Sequence, residues 1–232
     1  LHPKRLWRLT NQVGFKLQAL LQMRLHLAQD VRQILWGDDS ESDVIIYCLY
    51  SDICTRRMDK ATLSKVLKSL MVTGSQLETI FELQEQIHMQ DPVEKIYINL
   101  AEDTDAEYYL KFGRRTLPTL NTFQTILDLF QDHRVQAQHV VAVADDLISK
   151  YGFTTDELEK SFDDLIRRQS LGEPCVNLIL PILRDHKLVH KDVSPSLAPK
   201  AVSAQVGDRV IELEGSFEPW VPDRIDYLHH YR

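Results

Sequence analysis

Two short runs rich in β-formers constrain this chain more than any other feature: "VRQILW" at 31–36 and the alternating "EKIYINL" at 94–100. The stretch between them is long and reads mostly as helix. Strands separated in that way pair in parallel across a helical crossover. The fold class expected is therefore α/β, with strands near 31–36 and 95–100, and helix-rich overall.

Helical spacing fills most of the remaining chain. Residues 3 to 25 carry Leu6, Leu9, Val13, Leu17, Leu20 and Leu21 on one face, with Gly14 as a weak point. "DVIIYCLYSDICTRR" (43–57) is rich in β-formers, yet Asp43 can cap a helix there and helix is preferred. Leu63, Val66, Leu67 and Leu70 form the next stripe, and Ser75 with Glu78 reads as a capping box opening another helix. Beyond Gly113 the pattern is purely helical, with stripes through Leu120–Phe130, Val140–Ile148 and Leu158–Ile166. Gly152 and Gly172 sit where helix C-caps are expected, and Thr154 with Glu157 is a second capping box. "SPSLAPKAVSAQ" reads as a linker and "DRVIELEG" as a small hairpin. The domains expected are 1–112 with a helical insertion at 60–90, a helical unit at 113–190, and a linker and tail at 191–232.

A formal net charge of -7 disfavours nucleic acid as a partner. Three cysteines without C-x-x-C spacing argue against a zinc site or a disulfide framework. A reducing, cytoplasmic setting is expected, with no transmembrane segment.

The acids cluster directly after the first run, in "ILWGDDSESDVIIY" (34–47). With a strand ending before Gly37 and a helix beginning after Ser42, Asp38, Asp39 and Asp43 fall in the connecting loop. In open α/β sheets ligands bind at the carboxyl ends of strands. Crowded carboxylates repel, and a hard cation such as Mg²⁺ relieves that repulsion through oxygen ligands. Gly37 would permit a sharp departure from the strand. A solvated loop whose acids favour the following helix N-terminus fits the same residues.

Gly37, Asp38, Asp43, Ile46 and Tyr47 fall in step with G-D-S-x-x-x-D-P-x-I-Y. That pattern belongs to the actin-patch-protein-like phosphatidate phosphatase family, within the haloacid dehalogenase (HAD) superfamily, which this stretch resembles. Asp39 replaces its serine and Val44 its proline. The resemblance covers roughly residues 10–101 and implies a partial HAD-like Rossmannoid sheet. It also implies Mg²⁺ as cofactor, with Asp38 coordinating the metal and Asp43 and Asp39 beside it. Lys16, at the family's upstream lysine spacing, would steady the nucleophile and the phosphoryl oxygens. A phosphorylated small molecule or lipid is the substrate class implied.

The attacking half is not found. HAD phosphatases open on D-x-D-x-[TV], whose first aspartate forms the covalent intermediate. "LYSDICT" (49–55) places Cys54 where the second aspartate belongs, and "AEDTDAE" (101–107) carries Asp103 and Asp105 without a following threonine. Both read as coincidence. The chain begins at Leu1 and only 15 residues precede Lys16. The expectation is a C-terminal part of a HAD domain, truncated or degenerate and inactive by itself. Uncovered strand edges would then promote self-association. The alternative is a non-catalytic HAD-like protein acting through its helical unit in protein interaction or oligomerisation. His186 and His190, His229 and His230, Arg114–Arg115 and Arg167–Arg168 read as surface groups.

Overall fold

The computed structural model describes residues 3–39, 42–101, 104–190, 203–206, 209–212, 222 and 225–228, with side chains described from residue 12 onward outside the 203–212 segment. It divides into two compact units, 1–98 with 221–232, and 99–220. The described strands β1 (Gln33–Asp38), β2 (Val93–Asn99) and β3 (Thr116–Thr119) form one small parallel sheet in the order β1-β2-β3. The helix-rich α/β expectation holds at that level.

In the first unit, helix α1 (Pro3–Leu25) packs on α4 (Gly74–Gln86) and α2 (Asp43–Thr55), while α3 (Lys60–Ser69) lies between α2 and α4 in the chain. Val13, Leu17 and Leu21 of α1 are fully buried, as are Ile46, Leu49 and Ile53 of α2. Leu6 and Leu9 fall where side chains lie outside the described set. Gly14 faces α4: a Cβ there would stand 2.4 Å from Oε1 of Gln76, the movable end of a long side chain. β1 extends through Gly37 and Asp38, two residues past the expected end.

The cap of α4 is Thr73 with Gln76, not Ser75 with Glu78. Thr73 is extended and its hydroxyl accepts the Gln76 N–H, so the helix starts two residues earlier than the Ser75–Glu78 pattern suggests. Ser42, not Asp43, occupies the N-cap of α2, and Asp43 is its first helical residue. Helix was preferred over strand for 43–57, and α2 is helical.

The second unit corrects the purely helical expectation beyond Gly113. A 3-10 helix (Ala106–Phe112) and β3 precede α5 (Thr122–Gln131). β3 is four residues long and contains Pro118, which an outer strand tolerates because one side of its ladder is unused. The Leu100 N–H donates to the Thr119 carbonyl at 2.8 Å. α5 then packs on α6 (Ala137–Tyr151) and α7 (Thr155–Arg167), and α6 packs on α8 (Glu173–Asp185). Gly152 caps α6 in the left-handed region at φ 75°, and Thr154 with Glu157 forms the expected capping box of α7. Gly172 is the N-cap of α8, not a C-cap, with φ −83°. The hairpin is shifted too: β4 (Ser203–Val206), drawn from the expected linker, pairs antiparallel with β5 (Arg209–Glu212).

Candidate functional site

Three elements of the first unit converge at the carboxyl end of β1. The strand delivers Gly37 and Asp38, the first turn of α2 delivers Asp43, and the middle of α1 delivers Lys16. The Lys16 ammonium donates to Oδ1 of Asp43 at 2.6 Å, with the Asp43 side chain 8% exposed and that of Lys16 30%. The other oxygen, Oδ2, accepts the Asp38 N–H at 3.3 Å. One buried carboxylate thus ties helix α1 to the end of β1.

Gly37 makes room for that carboxylate. A Cβ built on it would lie 2.5 Å from both Cβ and Oδ2 of Asp43. The sharp departure expected of Gly37 does not occur: it continues the strand, and the positive-φ glycines among the described residues are Gly113 and Gly152. Close approach, not backbone freedom, is what requires glycine here. A second tie reinforces the first. The Tyr47 hydroxyl donates to the Trp36 carbonyl at 2.6 Å, and the Trp36 ring stacks on Tyr97 of β2 with centroids 5.4 Å apart.

Asp38 is exposed and Asp39 half-buried, at the end of β1 where the Asp38 N–H meets Asp43. Asp43 is the aspartate that holds Lys16, and the exposed Asp38 carboxylate offers hard oxygen open to water. That chemistry fits Mg²⁺, which binds through one or two carboxylates and keeps several waters. The three carboxylates are not closed into a trio. Among the described residues, the grouping whose three ligand atoms lie within 4.8 Å of one another is Asp156, Glu159 and His190. So Lys16, Gly37 and Asp43 are brought into contact, and Asp38 reaches Asp43 through its backbone N–H.

The two nucleophile look-alikes sit in helical settings. Asp52 and Cys54 belong to α2 and follow no strand. Burial above all pushes the Cys54 thiol up to about 12. Asp105 caps the 3-10 helix by accepting the Glu107 N–H at 2.9 Å; Asp103 lies outside the described residues. His186 is exposed, and His190 lies past the end of α8, with Nδ1 2.9 Å from Glu159. His229 and His230 fall outside the described residues.

Sequence reasoning missed two things here. Arg115 and Arg168 are buried, not surface groups. Arg168 donates to the Pro118 carbonyl at 3.0 Å and to Asp164 at 2.9 Å. Asp52 is also buried and shared by Arg57 and Tyr227. An acid inside an otherwise apolar helix was the available signal for Asp52; nothing local marked its partners.

Comparison of this chain with protein-family models, with curated proteins and with solved structures finds no match.

Proposed function

We propose that this chain carries the cation and phosphate side of a Mg²⁺-dependent, HAD-type phosphate ester hydrolase site, and that it cannot turn over substrate with these residues alone. The observation that carries the reading is the Lys16–Asp43 contact at the carboxyl end of β1, clamped to the Asp38 N–H. Residues 27 apart in sequence meet at the position where α/β sheets bind ligands.

Each residue then has a distinct task. Asp43 holds the Lys16 ammonium at the mouth of the strand, where it can face a phosphoryl oxygen. Asp38, with its carboxylate toward solvent, offers the cation its oxygen, and Asp39 adds a second. Mg²⁺ bound there supplies positive charge against the phosphoryl group. The attacking aspartate would come from a further strand beside β1, which is one of the two edge strands of this sheet among the described residues. The same open edge is where copies of this chain would associate. The substrate class is a phosphate monoester, on a small molecule or a lipid.

The test is phosphate release by a protein joining this chain to a D-x-D-x-[TV] strand. Asp38→Asn should lower Mg²⁺-dependent kcat by about 100-fold or more, the scale of removing one preorganised electrostatic contact. Unchanged turnover in that variant would remove Asp38 from the metal side.

A further inference from the structure

The segment Ile225–Leu228 belongs to the first unit although the whole of the second unit precedes it in the chain. Ile225 and Tyr227 are buried and Asp226 between them is exposed, so alternate side chains enter the unit. The Tyr227 hydroxyl donates to Oδ2 of Asp52 at 2.5 Å. Oδ1 of Asp52 accepts from Arg57 at 2.8 Å, and the Arg57 guanidinium also lies 3.8 Å from Asp91. A buried carboxylate, fixed by a guanidinium, thus reads a tyrosine hydroxyl 175 residues away. Burial, followed by the charge of Asp52, holds that hydroxyl protonated far above its ordinary range.

An open surface depression of about 390 Å³ lies beside the segment, lined by Met58, Thr62, Lys65 and Val66 as well as the segment itself. Two buried anchors, Ile225 and Tyr227, spaced by one exposed residue beside an open depression, have the form of a peptide site in which alternate side chains enter pockets.

We propose that the surface formed by the end of α2 and by α3 is a peptide-recognition site for an Ile-x-Tyr sequence, occupied in cis by residues 225–227. This does not depend on the hydrolase reading. Tethering makes docking of the cis segment intramolecular, so an external peptide competes only when the tethered segment is disarmed.

The test uses the full chain carrying Tyr227→Ala and a fluorescent peptide of residues 222–232, followed by anisotropy. Saturable binding is expected, weakened about tenfold or more in a peptide carrying Tyr227→Phe, the scale of one hydrogen bond to a charged group. No saturable binding, or equal affinity for the phenylalanine peptide, would overturn the proposal. Should Tyr227→Ala not fold, Tyr227→Phe in the full chain replaces it, read by hydrogen exchange over 225–228. Exchange there should quicken about tenfold, and unchanged protection counts against the site. A dimer of the wild-type chain that the free peptide dissolves supports the same site, filled by a second copy.

Discussion

A methyl group at Gly37 would have to displace the Asp43 side chain, whose Cβ and Oδ2 stand 2.5 Å from where it would sit. Neither atom is the loose end of a long chain: Asp43 is held by Lys16 and by the Asp38 N–H. Gly37→Ala should therefore cost about 1–3 kcal/mol, the range for overpacking a closed site. Gly74, at the start of α4, has nothing within 4 Å of an added Cβ. Gly74→Ala should be neutral or stabilising by about 0.4–1 kcal/mol. Urea unfolding of the two variants separates them, and a Gly37→Ala midpoint equal to wild type would contradict the close approach. Glycine at 37 was visible in the sequence as a special position, but its reason was not. A strand-to-loop glycine suggests a turn; the need for space arises only when a side chain six residues on folds back over the strand. Lys16 was likewise marked by its spacing, while its partner was not, because a pair 27 residues apart leaves no trace in periodicity.

At the scale of elements, α7 shows what pattern can and cannot say. Its apolar stripe through Leu158, Phe162 and Leu165 was legible, as was the Thr154–Glu157 cap, since both are local. Its last turn was misjudged. Asp164 accepts from Gln124 of α5 and from Arg167 and Arg168, and Arg168 in turn reaches the Pro118 carbonyl of β3. Burial by itself would raise the Asp164 carboxyl, but the Arg168 guanidinium and the hydrogen bonds around it hold it below the ordinary carboxylate value. A carboxyl whose folded pKa is depressed contributes stability above its unfolded pKa, and that contribution fades as pH falls through the folded value. Asp164→Asn should accordingly destabilise the second unit near neutral pH, and the deficit should narrow only below about pH 4. Thermal unfolding of the pair across pH 7 to 3 reads this; a deficit constant over that range would mean the charge is irrelevant. β3 escaped notice because four residues with a proline resemble a loop. Its strand character comes from β2 beside it, not from its own composition.

For the whole molecule, the order β1-β2-β3 places β1 at one edge of that sheet, and the Lys16–Asp43 pair sits at the carboxyl end of that strand. The parallel α/β character followed from two runs too far apart for a hairpin. The hairpin of β4 and β5 was only half legible, since its first strand lies in a stretch that reads as linker. What no local signal could supply was the return of Tyr227 to Asp52 in the first unit. Among the described residues no helix is long and apolar enough to cross a membrane, as composition suggested. The central claim is that the end of β1 binds a hard cation, and Mg²⁺ titration of the ¹⁵N-labelled chain tests it directly. The account predicts saturable shifts confined to the amides of Gly37, Asp38, Asp39 and Asp43, abolished by Asp38→Asn. Shifts centred on Asp156, Glu159 and His190, or none at the end of β1, would contradict it.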